Sequence, residues 1–262
     1  MTSEDGLVAR ALRVSLGGRW VVDGVDFSAG AGAVSAIVGP NGSGKTSLLR
    51  ALCGLLPYTG QVRHGASDLA QLTASERALR VAYLPQNSAL RALLSVREVV
   101  ALGRYASHPG LFTSTRRDDA LVEEALGRAG IGGLAEQAYP RLSGGQQRLV
   151  LIARALATGA RTLLLDEPTA SLDLRHALEL FELLGGLARD GYCVVLVLHD
   201  LDDVQRHAAT ALLLDAGRAR ATGSPSSPEF VAAAEQTYGV VLVPADRLGF
   251  RARSAPSAGG LR

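Results

Sequence analysis

Cysteine is nearly missing from this chain. Cys53 and Cys193 are the only two in 262 residues, far apart and each inside an apolar run. That excludes a disulfide framework and a cysteine-based zinc site, and it suits a reducing compartment. Long apolar stretches are missing as well, none approaching the ~20 residues that cross a bilayer. Nor is there an excess of one charge: 27 basic against 25 acidic residues give a net +2. This is too balanced for a nucleic-acid binder that relies on a basic field. The opening Met1-Thr2-Ser3-Glu4-Asp5 is acidic and polar, the wrong start for a secretory signal. Together these absences predict a soluble, cytoplasmic protein that binds no nucleic acid, while leaving open its docking on a membrane partner. What is present is core-forming material: 47% hydrophobic and 20% charged residues. The length suits one large domain or two small ones.

The N-terminal third reads as β. Residues 8–16 and 20–29 alternate apolar and polar around the turn signal Gly17-Gly18. Residues 33–38 form an apolar run too short for a helix, and they lead through a glycine-rich loop into a helical pattern at 47–55. Strand, glycine loop and helix make the first half of a βαβ unit. Residues 80–84 read as another strand. From 95 to 156 three helical patterns follow, with glycine-rich breaks near Gly110, Gly132 and Gly144. A helix-only block inside an α/β chain predicts an inserted helical subdomain, placed at about residues 90–158. Two apolar strands, 162–165 and 193–198, flank a helix at 174–189, and continuous apolar runs of this kind mark strands buried on both faces. Residues 211–214 and 218–221 read as a closing hairpin. The expectation is a single domain over 1–245, with 246–262, rich in Gly, Ser, Ala and Arg, as a flexible tail.

Gly39-Pro40-Asn41-Gly42-Ser43-Gly44-Lys45-Thr46 fits G-x-x-x-x-G-K-[ST] at every defined position and in the strand-to-helix context it requires. Glycines let successive N–H groups converge on phosphate oxygens, and the helix beginning near Lys45, with Ser47 in its first turn, adds its positive end. Lys45 is placed to reach the β and γ phosphates, and the Thr46 hydroxyl to ligate Mg²⁺. The metal needs a carboxylate from a neighbouring buried strand. Thr162-Leu163-Leu164-Leu165-Asp166-Glu167 supplies one, since Asp166 ends the apolar run at the edge where open α/β sheets bind ligands. Glu167 then lies beyond the metal, where it can polarise a water. Two acids after a strand read equally well as a solvated turn; the phosphate loop tips the balance toward a nucleotide site.

Leu142-Ser143-Gly144-Gly145-Gln146 precedes a helix at 147–156. Ser143 is a good N-cap, and the two glycines open the helix end to close approach, making a second anion-binding terminus. This pentapeptide, between a phosphate loop and an Asp-Glu strand, resembles the signature of the ATP-binding cassette (ABC) ATPases. Other segments agree in order. Gln86 after Ala82-Tyr83-Leu84-Pro85 resembles the Q-loop, Ser171-Leu172-Asp173 the D-loop, and His199 before Asp200 the switch histidine. His64, His108, His176 and His207 belong to no motif and read as surface or structural. Where the family usually stacks adenine on an aromatic residue, this chain has Leu16, with Trp20 as an alternative ring.

The resemblance implies a P-loop NTPase core with a mixed sheet, an N-terminal antiparallel β subdomain and a helical signature subdomain. It implies ATP and Mg²⁺ as cofactors, and two copies facing head to tail. ATP would lie between the loop of one copy (Gly39 to Thr46, then Ser47) and Ser143, Gly144, Gly145 and Gln146 of the other. Glu167, His199 and Gln86 would be catalytic, and Thr46, Gln86 and Asp166 would surround the metal. The interval between loop and signature, about a hundred residues without sustained heptads, argues against coiled-coil DNA-repair relatives. With no membrane span, transport requires a separate polytopic permease, received in a groove after Gln86, at the cytoplasmic face of the plasma membrane. Residues 95–105, 169–180 and 197–201 resemble importers for iron–siderophore, haem and cobalamin, which also use a substrate-binding protein. A soluble non-transport ATPase and an exporter cassette are the alternatives.

Overall fold

The computed structural model describes residues 6–86, 93–107, 115–170, 172–243 and 249–252. In chain order its elements begin with β1 (Leu7–Leu16), β2 (Arg19–Ala29), β3 (Ala33–Val38) and α1 (Lys45–Leu52). Next come β4 (Thr59–His64), β5 (Ser67–Asp68), α2 (Ala74–Ala78) and β6 (Val81–Leu84). The helical block is α3 (Val96–Ala101), α4 (Arg116–Arg128) and α5 (Gly144–Ala157). The chain then continues through β7 (Thr162–Asp166), α6 (Leu174–Arg189), β8 (Cys193–Val197) and α7 (Leu201–His207). It closes with β9 (Thr210–Asp215), β10 (Arg218–Gly223), α8 (Pro228–Tyr238), β11 (Val240–Val243) and β12 (Gly249–Ala252).

Two sheets carry the architecture. An antiparallel sheet runs β2-β1-β4-β5, and a mixed sheet runs β10-β9-β3-β8-β7-β6, parallel except for β10. The exception has a local cause. Ala216 and Gly217, the two residues linking β9 to β10, both have positive φ (47° and 79°), which gives a tight hairpin turn whose twist matches the strands. That turn also docks on the rest of the molecule: Asp23 N donates to Gly217 O at 2.8 Å, and Gly217 N donates to Ser43 O at 3.0 Å.

The unbroken apolar runs of the parallel strands are explained by burial on both faces. Ala36, Leu163, Leu165, Val194, Leu196 and Leu213 face one core with the helical block, α6 and α7. Ile37, Leu164, Val195, Val197 and Leu212 face another, shared with α1 and the antiparallel sheet. Successive residues in a strand point to opposite sides, so both sets must be apolar.

Each helix of the block opens with a capping box: Ser95 with Glu98, Thr115 with Asp118, and Ser143 with Gln146. The box satisfies two otherwise unpaired N–H groups and fixes where each helix starts. The glycine expected to mark a break at Gly144 is instead the first residue of α5. Arg104 fastens the far end of the block, donating to the carbonyls of Ala157 (2.6 Å) and Thr158 (3.0 Å) and to the Asp118 carboxylate (2.8 Å). Among the described residues no helix is long and apolar enough to cross a membrane. The expected tail needs one correction, since Gly249–Ala252 pairs antiparallel with β11. Gly110, His108 and Ser171 lie outside the described residues.

The Thr115 hydroxyl and the Arg104 guanidinium hold the buried Asp118 carboxyl well below the ordinary carboxylate range. A depressed folded value stabilises the protein above the unfolded aspartate pKa of about 3.9, and the gain is lost as pH falls toward the folded value. Asp118→Asn is therefore expected to cost roughly 2 kcal/mol in denaturant unfolding at pH 7. The gap to the unsubstituted protein should close as the pH is lowered below about 4.

Candidate nucleotide site

All parallel strands of the mixed sheet end at the same edge, and the motif residues follow those ends. Loop 39–46 leaves β3, Pro85 and Gln86 follow β6, Asp166 ends β7 with Glu167 after it, and His199 follows β8. The loop is pressed against neighbouring backbone. A Cβ on Gly39 would fall 1.9 Å from the Leu214 carbonyl oxygen, so only glycine fits there.

Lys45 opens α1 and is buried. Its ammonium donates to the carbonyls of Gly39 (2.7 Å) and Pro40 (2.9 Å). Burial lowers its pKa, opposed by the nearby carboxylates of Glu167 and Asp166. Thr46 Oγ1 donates to Asp166 Oδ1 at 3.1 Å, and Tyr83 OH donates to Asp166 Oδ2 at 3.2 Å. Burial raises the Asp166 pKa against those two hydrogen bonds. A hydroxyl and a carboxylate side by side are the hard oxygen donors that Mg²⁺ prefers. The buried Ser43 Oγ has no hydrogen-bond partner in the protein, an orphan inside a phosphate-type loop. The residues thus fit both a phosphate chain and a hard cation.

Glu167 stands next to this pair with φ 46°, a left-handed conformation uncommon for a residue with a side chain. Both its carboxylate oxygens are engaged: Gln86 Nε2 donates to Oε2, and His199 Nε2 contacts Oε1. The structure therefore brings together Lys45, Thr46, Gln86, Asp166, Glu167 and His199. It does not join the signature to them: among the described residues no hydrogen bond links Ser143, Gly144, Gly145 or Gln146 to loop 39–46. Ser143 Oγ accepts from Gln146 N (3.3 Å), and Ser143 N donates to Gln146 Oε1 (3.1 Å). Gly145 lies against the His176 ring, which is fixed by the α6 N-cap Asp173 through Nδ1 at 2.7 Å. Asn41 and Gly42 are exposed at the loop tip, and Ser47 is half-buried in α1. Leu16 and Trp20 are both exposed at the tip of the β1–β2 hairpin, the Trp20 ring facing the Arg13 guanidinium at 5.9 Å.

Two residues that sequence reasoning did not single out belong to this neighbourhood. Tyr83 orients Asp166, and Arg148 of α5 donates to the carbonyls of Asp166 and Glu167 (both 3.2 Å). A second feature lies between α1, α2, β6 and the helical block. It is a cavity of about 540 Å³ whose lining includes Leu55, Leu102, Tyr105 and Leu151, the first three exposed.

The family described as ABC transporter matches residues 22–170. A hemin import ATP-binding protein HmuV of Streptomyces coelicolor is 46% identical over 219 residues, 83% of this chain and 78% of that protein. One from Gloeobacter violaceus is 42% identical over 236 residues, 86% of this chain and 85% of that protein. Among solved structures, a chain of a metal-chelate type ABC transporter in an inward-facing conformation superposes with a TM-score of 0.79 at 26% identity, covering 90% of each chain. The cbiO1 protein of Clostridium perfringens, part of the cbiONQ complex, gives 0.74 at 26% identity, covering 88% of this chain and 94% of that one.

Gly39→Ala should abolish binding of a fluorescent ATP analogue, because the new methyl meets backbone 1.9 Å away. Gly42→Ala meets no atom within 4 Å and carries only the strain of φ 77°. It should lose about 1–2 kcal/mol of stability and keep measurable binding.

Proposed function

The chain belongs to the ABC transporter family of ATP-binding subunits, and from that membership we propose that it powers the import of an iron-bearing chelate, haem first among them. As a member it binds ATP and couples its hydrolysis to transport. The names of the relatives support the cargo, and import is favoured over a soluble ATPase or an exporter by the same resemblance. The observation that carries the mechanism is the Glu167 carboxylate held between Gln86 and His199, beside the Thr46–Asp166 pair.

In this reading the working unit is two copies arranged head to tail. The N–H groups of loop 39–46 and the Lys45 ammonium take the phosphates of ATP, and Ser143, Gly144, Gly145 and Gln146 of a second copy meet the γ-phosphate from the other side. The carbonyls of Gly39 and Pro40 hold Lys45 until phosphate oxygens replace them. Thr46 and Asp166, with Gln86 nearby, would hold Mg²⁺, which neutralises phosphate charge when bound. Glu167 accepts the proton of the attacking water, and His199 steadies the carboxylate and the γ-phosphate. ATP favours the closed pair because only its γ-phosphate reaches both copies; ADP does not.

The cassette of this proposal spans 1–245 together with the paired strand Gly249–Ala252, and holds the helical block at about 90–158. The cavity beside β6 receives a cytoplasmic helix of a polytopic permease, whose apolar side covers Leu55, Leu102 and Tyr105. The cassette thus works at the cytoplasmic face of the plasma membrane, and a substrate-binding protein delivers cargo on the other side.

Glu167→Gln should lower ATP turnover by about 10²–10⁴-fold and leave an ATP-dependent dimer in gel filtration with light scattering; undiminished turnover would remove Glu167 from its role. In the host cell the protein should co-purify with a polytopic membrane protein and hydrolyse ATP faster in that complex. Leu102→Glu should weaken the assembly while leaving ATP binding intact, and equal recovery of both forms would place the permease elsewhere.

A further inference from the structure

Arg148 is a charged residue only 8% exposed, and five main-chain carbonyls accept its hydrogen bonds. Its guanidinium is spent on main-chain carbonyls. Nη1 donates to Pro85 (3.0 Å) and Gln86 (3.2 Å), Nη2 to Asp166 and Glu167 (both 3.2 Å), and Nε to Pro168 (3.0 Å). Burying a guanidinium this way is costly, and burial draws its pKa down while the nearby Asp166 charge opposes the change. Five carbonyls are the return, and they fall in two groups. Pro85 and Gln86 follow β6; Asp166, Glu167 and Pro168 span the end of β7 and the residues after it.

Both groups carry residues of the proposed catalytic centre. Gln86 and Glu167 touch each other through their side chains, and Arg148 holds the backbone of each from below. Glu167 is also the strained one, at φ 46°. Such conformations cost about 1–3 kcal/mol and persist only where the surroundings over-determine them. The bonds to the carbonyls on either side of Glu167 provide that determination. Arg148 is moreover part of α5, two residues after the capping box that Ser143 makes with Gln146. A helix end is stiff over one turn, so a displacement of the signature shifts the seat of Glu167 with it.

We infer that Arg148 is a positioning residue for hydrolysis: it fixes the Glu167 backbone, aligns it with Gln86, and ties that alignment to the helix bearing the signature. The inference rests on the proposed role of Glu167. Lysine at this position keeps the charge but has one compact ammonium with three donors, which cannot serve two separate chain segments as a planar fork does.

The test compares Arg148→Lys, Glu167→Gln and the double variant, using full-length protein. Arg148→Lys should lower kcat by between about tenfold and a hundredfold, with ATP-analogue affinity and KM within about threefold of the unsubstituted protein. On the Glu167→Gln background, where hydrolysis is strongly reduced, it should leave ATP-dependent dimerisation unchanged. Turnover within twofold of the unsubstituted protein overturns the inference, as does loss of ATP binding or of the dimer on that background. If Arg148→Lys melts below the assay temperature, Arg148→Gln is held to the same criteria, and collapse of both marks Arg148 as structural only. Glu167→Gln alone keeps the two readings apart, since full turnover there removes the role of Glu167 whatever Arg148 does.

Discussion

Five strands running in one direction, β9, β3, β8, β7 and β6, impose the geometry on which everything else depends. Parallel strands deliver their C-terminal ends to a single edge, and there the backbone must leave the sheet through loops. Residues far apart in sequence, from Lys45 to His199, thereby share one place. The register carries the effect down to single side chains. Tyr83 is paired with Leu164 and Leu84 with Leu165, so β6 ends beside the residue just before Asp166. Asp166 then comes within reach of both Tyr83 and Thr46. Two cores, one on each face, keep the strands from sliding, because a shift by one residue would exchange the side chains belonging to each.

The edge is electrostatically incomplete. Lys45 is buried on carbonyl oxygens, Asp166 is pushed toward its neutral form by burial, and Ser43 Oγ has no partner. Each feature is a small cost to the folded chain, and each is relieved by the same kind of ligand: an anion rich in oxygen accompanied by a hard cation. Such a site stores part of its binding preference in the unliganded protein. Its groups are already dehydrated and aimed, so little ordering remains when the ligand arrives.

The phosphate loop could be read directly because its whole pattern is contiguous and its conformation local. The runs at 162–165 and 193–198 were legible as buried strands for the reason the cores now supply. Glu167, Gln86 and His199 could be named only through their order relative to the loop, since each alone is an ordinary end-of-strand residue. Tyr83 and Arg148 gave no signal. Their partners are set by strand register and by how α5 crosses the sheet, which no local pattern encodes. Thr59–His64 was missed because only Val62 and His64 of its six residues are buried, leaving too little alternation to notice. The short helices α2 and α7 are defined more by their caps, Thr73 and Asp200, than by periodicity. The pairing of Gly249–Ala252 lay hidden in a stretch whose composition suggests a tail.

The two cysteines add a last consequence. Both are buried, and burial pushes the Cys53 thiol up to about 12. A thiol that stays protonated and out of contact with solvent is a poor nucleophile toward oxidants and alkylating agents. Neither native cysteine is therefore a ready target for maleimides, and a cysteine introduced at an exposed position would react ahead of both. Spin labels or dyes placed that way would report on motion and distances without first stripping the native sulfur from the sequence.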